Sequence, residues 1–290
     1  TLTNSGLISG DGANGGYGLL NRGTIGTLVN TVGGTFAALA GTVGYGLINQ
    51  SILNTVVNYG LMTGHDGGVQ NMGTIQLLDN AAGGTIRSNS ASAQQGLRND
   101  GTIVTLLNDG LIGNNYGLFQ AAGTIQTLVN NGTIAANASG VYMSAAIGTI
   151  SNSGTITATH KAIVANAALT ALLNSGTLSG TQALAIGVNG RVGTISNTGV
   201  IQGNIVNTGT VALSIGGGTG TVVGTLTGGT LTNRGTITST GTNVVLSGNL
   251  RLNDNINVGT NTVTNAGGAI TLGTVATITG NYTQASGTLV

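Results

Sequence analysis

Along most of this chain aliphatic and polar residues alternate inside a short phrase, Leu-x-Asn-x-Gly-Thr-Ile, and the phrase itself recurs. It stands at Leu97-Arg98-Asn99-Asp100-Gly101-Thr102-Ile103 and again as Leu106-Leu107-Asn108-Asp109-Gly110-Leu111-Ile112. Variants run from Leu20-Asn21-Arg22-Gly23-Thr24-Ile25 to Leu231-Thr232-Asn233-Arg234-Gly235-Thr236-Ile237. Within one copy Leu97, Asn99, Gly101 and Ile103 share parity, so on a pleated strand they face one way while Arg98, Asp100 and Thr102 face the other. The first set is apolar or small and predicts the interior. Leu19, Ile25, Leu97, Ile103, Leu106, Ile112, Leu128 and Ile134 form the expected core column. Helical spacing is sustained nowhere, and glycine recurs too often for helices of useful length.

The repeat has a period. Asn21, Asn49, Asn71 and Asn99 lie 28, 22 and 28 residues apart, and Asn30, Asn58, Asn80, Asn108 and Asn130 lie 28, 22, 28 and 22 apart. A coil of roughly 22 residues with six extra residues in alternate coils fits both series, and the insertions are expected near Ala37 to Tyr45 and Ser88 to Gln95, on one side of the stack. A Gly-aliphatic pair opens each coil, as in Gly18-Leu19, Gly46-Leu47, Gly68-Val69, Gly96-Leu97, Gly117-Leu118 and Gly140-Val141. A fixed period of this length means one supersecondary unit stacked many times. Each coil is read as two or three short parallel strands bending at Asn-x-Gly, where Asn and Gly tolerate φ > 0. The fold class is all-β, a parallel β-solenoid of about thirteen coils, about 60 Å long at the strand spacing. The ladder residues expected at the bends are Asn21, Asn30, Asn49, Asn58, Asn71, Asn99, Asn108 and Asn130, each bonded to backbone or to the equivalent residue of the next coil, since an unpaired buried amide costs roughly 1–3 kcal/mol. Asp79 is assigned to one such Asn slot. The texture divides the chain into a regular repeat at 1–203 and a less regular continuation of the same solenoid at 204–290.

Composition supports a turn-rich β structure. Charged residues are only 4%, apolar residues 40%, glycines number 54, and Pro, Cys and Trp are absent. Low charge with many aliphatic residues opposes disorder. A formal net charge of +1 gives no electrostatic footprint for nucleic acid or an anionic membrane. The stretch Ala162 to Leu173 is too short to span a bilayer, so no membrane insertion of this segment is expected. The sequence opens at Thr1 without Met or a basic, apolar leader, which is expected if a signal peptide is removed or lies outside this segment.

Strings such as Gly148-Thr-Ile-Ser-Asn-Ser-Gly-Thr-Ile156 and Val192-Gly-Thr-Ile-Ser-Asn-Thr-Gly-Val-Ile201 resemble the degenerate repeats of Gram-negative autotransporter (type V secreted) passengers of the adhesin type. The ending, Ile278-Thr-Gly-Asn-Tyr-Thr-Gln-Ala-Ser-Gly-Thr-Leu289, is similar to the stretch that closes many such passengers before the outer-membrane translocator barrel. The resemblance implies a right-handed parallel β-helix, secreted across two membranes and displayed extracellularly at the cell surface, often for adhesion or cell-to-cell association.

Candidate chemistry is sparse. The six acidic residues are all Asp: Asp11, Asp66, Asp79, Asp100, Asp109 and Asp254. Glycan cleavage needs paired carboxylates facing a groove, whereas Asp79 and Asp109 are expected to diverge by parity. His65-Asp66 sits on a Gly-rich bend within expected reach of Arg87 but lacks a spaced nucleophile or further metal ligands. His160-Lys161 reads as a polar bend. Gly10-Asp-Gly-Ala-Asn-Gly15 matches a dinucleotide-binding spelling without the strand-then-helix context, so it reads as a turn. No enzyme activity, cofactor or metal is expected. Tyr17, Tyr45 and Tyr116 each precede the Gly-Leu that opens a coil, and either cap the apolar interior or form an aromatic strip for a glycan or a protein.

The leading functional expectation is a structural and adhesive cell-surface rod that associates with itself or with a host or cell-surface glycan or protein, supporting extracellular fibre and biofilm formation. Uncharged β faces favour self-pairing, with Thr102 and Thr124 as contact candidates. An ice-binding solenoid is an alternative, because Thr24, Thr74, Thr102, Thr124 and Thr133 recur outward, but Arg22, Asp100 and Arg234 interrupt the neighbouring column. A polysaccharide-active β-helix is a third reading, weakened by the few carboxylates.

Overall fold

The computed structural model describes residues 1–10, 16–39, 43–90, 94–228, 234–273 and 275–290. It is an all-β parallel solenoid of about 12 turns of about 22 residues, with no helix among the described residues. The chain divides into two compact units, Thr1–Gly148 and Thr149–Val290. The change of texture at residue 204 therefore falls inside the second unit.

In the first unit each coil contributes three short strands. One ladder holds Gly16–Asn21, Gly44–Asn49, Gly67–Asn71 and Gln95–Asn99, a second holds Thr24–Asn30, Ile52–Asn58, Thr74–Asn80, Thr102–Asn108 and Thr124–Asn130, and a third holds Leu7–Gly10, Thr35–Ala38, Leu61–Gly64 and Thr85–Ser88. The longer strands Leu111–Gln120 and Thr133–Met143 run through the third ladder and on into the first. Like stacks on like: Ile75 on Ile103 on Ile125, and Leu78 on Leu106 on Leu128. Leu97, Ile103, Leu106, Ile112, Leu128 and Ile134 are fully buried, each contributing about 1.5–3 kcal/mol by burial. Leu19 and Ile25 are only half-buried, because Gly16–Asn21 is paired on one side and Leu2–Asn4 covers only the end of Thr24–Asn30.

The register resolves where the six extra residues go. Ala37 pairs with Thr63 and Tyr45 with Gly67, as do Arg87 with Thr63 and Gln95 with Gly67, so each long coil carries four extra residues at that corner. The remaining two lie at the Asn corner, where Asn30 to Thr35 and Asn80 to Thr85 align with the shorter step Asn58 to Leu61. Gly33 and Gly83 provide the turn there, at φ 80° and 85°, a region other residues enter at a cost. Parts of the four-residue loops, 40–42 and 91–93, lie outside the described residues, as do 11–15 of the Gly10–Gly15 turn and 229–233 of the last repeat copy.

The other Asn-x-Gly corners of the first unit do not use left-handed glycine, unlike Asn257-Val258-Gly259 near the end of the chain, where Gly259 sits at φ 61°. Gly101, Gly110 and Gly132 are absent from the positive-φ residues. Glycine is required there because the coils approach too closely: a Cβ on Gly101 would collide with the carbonyl of Gly73, and one on Gly110 with the carbonyl of Gly84.

In the second unit the same logic continues. Leu178 stacks on Ile201 and then Leu226 and Leu252, and Leu184 on Ile205, Ile237 and Ile256. Asn255–Leu272 and Ile278–Leu289 close it as long strands paired in parallel.

Candidate functional site

The Asn residues build continuous amide ladders inside the corners. In the first unit Asn21 Nδ2 donates to Asn49 Oδ1 at 2.8 Å, Asn49 to Asn71 at 2.8 Å, Asn71 to Asn99 at 2.8 Å, and Asn99 to Gln120 Oε1 at 2.8 Å. A second ladder runs Asn4, Asn30, Asn58, Asn80, Asn108, Asn130, with contacts of 2.7–2.9 Å. Each Nδ2 also donates to backbone; Asn108, for example, reaches the Thr133 carbonyl at 3.1 Å. In the second unit Asn152, Asn174 and Asn197 repeat the pattern at 2.8 Å. The ladder is thus scaffolding for the outer faces.

Asp79 is not in that ladder. The register sets Asn80 against Asn58 and Asn108, and Asp79 against Val57 and Leu107, so the carboxylate lies one residue off, on the outer side. Burial raises its pKa, and the charge of Asp109 raises it further. His65 Nδ1 lies 3.6 Å from Asp66 Oδ1, and Asp66 Oδ2 accepts the Gly44 N–H at 2.9 Å; among the described residues neither forms an ion pair with Arg87. Among the described residues no cluster of three or more His, Cys, Asp or Glu is placed to hold a metal ion.

The face that gathers chemistry is the first ladder of the first unit. Its inward positions are the Leu47, Val69, Leu97, Leu118, Val141 stack, and its glycines sit where strands approach; a Cβ on Gly46 would lie 2.6 Å from the Thr63 nitrogen. Two outward columns result. One reads Tyr17, Tyr45, Gly67, Gln95, Tyr116, Ser139, and the other Leu20, Ile48, Gln70, Arg98, Phe119, Tyr142.

Tyr17 is 43% exposed, whereas Tyr45 is 8% exposed because its ring covers the side-chain-free Gly67. The Tyr45 hydroxyl donates to Gln95 Oε1 at 3.3 Å, and burial, with smaller effects from the nearby charges, pushes its pKa up to about 12. Tyr116, Phe119 and Tyr142 form a three-ring cluster with centroids 5.4–5.7 Å apart, one pair edge-on. The Arg98 guanidinium stands 5.3 Å over the Phe119 ring. Arg98 donates to both Asp100 oxygens, at 2.7 and 2.8 Å, and Gln70 Nε2 donates to Asp100 Oδ2 at 3.0 Å. Desolvation alone would raise Asp100, but these hydrogen bonds and the Arg98 charge outweigh it and hold the carboxyl below its ordinary range. The hydrogen bond to Asp100 in turn raises Arg98.

The three tyrosines singled out in the sequence share this face. Thr102 and Thr124 do not. They lie together on the second ladder in the column Thr24, Ile52, Thr74, Thr102, Thr124. Thr124 is exposed and Thr102 half-buried. Thr133 belongs to another column, with Thr85 and Leu111. Gln70, Arg98, Asp100, Phe119 and Tyr142 escape a reading of single motifs. For Gln70, Arg98 and Phe119 the available signal was the column formed by the residue just before each ladder amide, which Tyr142 continues before Met143; Asp100 lies just after its amide, outside that column.

No protein-family model, curated protein or solved structure matches this chain.

Proposed function

We propose that this chain is a non-catalytic structural and adhesive module of an autotransporter-type passenger, displayed at the surface of a Gram-negative bacterium and acting through self-association in adhesion, fibre or biofilm formation. One observation carries the reading: the outer side of the second ladder. Its columns are Thr24, Ile52, Thr74, Thr102, Thr124; then Thr27, Thr55, Leu77, Thr105, Thr127; then Val29, Val57, Asp79, Leu107, Val129. Only Asp79 among them is charged, and burial raises the pKa of its carboxyl. A regular β face of hydroxyl and aliphatic groups with one carboxyl has almost no repulsion to prevent a second copy from lying against it.

The test is sedimentation velocity over a rising concentration series. The parent chain is expected to associate, with little change between low and moderate salt, because few charges take part. Thr102→Lys with Thr124→Lys sets like charges on adjacent coils, roughly 4.8 Å apart, and is expected to weaken association. A strict monomer at high concentration, with the Lys variant unchanged, overturns the proposal.

A further inference from the structure

We propose that the first ladder of the first unit is a binding face for an uncharged, extended polysaccharide, whose sugar rings stack on its aromatic side chains and whose hydroxyls bond its fixed amides and carboxylates. This rests on the adhesive reading for its context but concerns a different face from the self-association surface.

The chain has six Tyr and two Phe, and Tyr17, Tyr45, Tyr116, Phe119 and Tyr142 all project from this one face. The core draws little on aromatic residues, since among the described residues its buried apolar side chains are aliphatic or Met apart from Phe36 and the covered Tyr45. The outward columns of the second ladder carry instead Thr, Val, Leu and Ile with one Asp, and no aromatic ring. Aromatic rings at such positions offer broad, rigid apolar surface with a polar tip, which suits a partner having both C–H faces and hydroxyls.

The polar groups beside the rings are pre-set. Asp100 is held by Arg98 and Gln70, and Arg98 is held in turn by Asp100 and the Phe119 ring. Planar groups fixed before binding lose little freedom on binding. Arg98 and Asp100 also neutralise each other, so that pair presents hydrogen-bonding edges without net charge, and the Asp66 carboxylate on the same face repels anions. That selects a neutral sugar over a uronate or a phosphate.

A cleft of about 130 Å³ opens on the same face between Tyr17, Val43, Tyr45, Asp66 and Gln70. It has an exposed ring on one wall with a carboxylate and an amide close by, the combination that grips a single pyranose. The columns repeat at about 4.8 Å across the strands, close to the length of one sugar unit in an extended β-linked chain. A glycan lying across the strands therefore meets equivalent positions coil after coil, from Tyr17 to Tyr142.

The experiment is affinity electrophoresis of the whole chain in native gels containing hydroxyethylcellulose, a neutral β-glucan, or polygalacturonate, an acidic α-linked galacturonan. Retardation by the neutral glucan alone is expected. Tyr17→Ala and Gln70→Ala should each reduce it about tenfold while leaving far-UV circular dichroism and sedimentation unchanged. Thr124→Lys should alter sedimentation but not retardation. The proposal fails if the neutral glucan gives no retardation, if polygalacturonate retards equally, or if both variants bind like the parent. It also fails if Tyr17→Ala abolishes self-association, since the face then belongs to a second copy. Loss of self-association in Thr124→Lys with glucan binding intact keeps the two faces separate.

Discussion

Replacing Asn108 with Asp tests whether the amide ladder is a load-carrying hydrogen-bond chain or a passive column. Asn108 is fully buried. Its Oδ1 accepts from Asn80 at 2.8 Å, while its Nδ2 donates to Asn130 Oδ1 at 2.7 Å and to the Thr133 carbonyl at 3.1 Å. In the Asp variant one carboxyl oxygen still accepts from Asn80. The other replaces a donor and confronts two acceptors. At about 1–3 kcal/mol for each buried bond left unmade, the loss is about 2–6 kcal/mol with the carboxylate ionised. Protonation restores one donor, so the folded-state pKa is raised above the unfolded value. A raised carboxyl pKa means the native state holds more protons, and the penalty is smallest at acid pH and grows as pH rises through the folded pKa. Asn108→Leu removes the donor and the acceptor together and is expected to cost about 1–3 kcal/mol at every pH. Urea unfolding followed by far-UV circular dichroism at pH 4 and pH 7.5 reads both effects. A parental midpoint for Asn108→Asp at pH 7.5, or a loss of equal size at both pH values, refutes the ladder argument.

Ile103→Ala removes a fully buried stack member between Ile75 and Ile125 and should lower stability by about 2–5 kcal/mol in the same denaturant assay. Gly101→Ala should be strongly destabilising, because a Cβ there meets the Gly73 carbonyl, while Gly26→Ala, with nothing within 4 Å, should be neutral or stabilising by up to about 1 kcal/mol; equal midpoints for the two variants contradict the close-approach explanation. Asp254, fully buried and accepting only the Gly235 N–H at 2.9 Å among its described contacts, has its pKa raised by burial from 3.8 to about 6, partly offset by that hydrogen bond. Because its folded pKa lies above the unfolded one, the native second unit is favoured below about pH 4 and loses up to about 3 kcal/mol as pH rises through about 6. Asp254→Asn should flatten that dependence and raise the thermal midpoint at pH 7; an unchanged pH profile rules out Asp254 as its source.

Much of the architecture was legible because the period is written in residues whose chemistry is positional. Asn30, Asn58, Asn80 and Asn108 recur since each must meet the next, and the Leu or Val two residues before is carried inward by strand parity. The insertions were located only in part, because two of their six residues hide at the Asn corner, where Asn30-Thr-Val-Gly-Gly34 differs from Asn58-Tyr-Gly60 by a turn that changes no ladder contact. Asp79 was misplaced by one residue, since beside Asn80 either polar side chain satisfies the pattern until strand register is known. Gln120 was missed as a ladder member because a longer amide stands in for Asn while the corner Gln120-Ala-Ala-Gly123 grows by one residue, with Gly123 at φ 61°. The aromatic face was half visible. Tyr17, Tyr45 and Tyr116 share a motif position, but Arg98, Phe119 and Tyr142 become neighbours only through stacking across coils, which the linear phrase does not encode.

The amide chains have a direction. In every rung the N–H of the earlier coil points to the oxygen of the later one, and the backbone carbonyls taken by the same nitrogens fix that orientation. Rungs aligned head to tail polarise one another, so each chain is a dipole with an acceptor at its early end and a donor at its late end. A coil added at the late end is therefore met by a donor and one added at the early end by an acceptor, so the two ends of each amide chain are chemically unlike although the strands that carry them are alike.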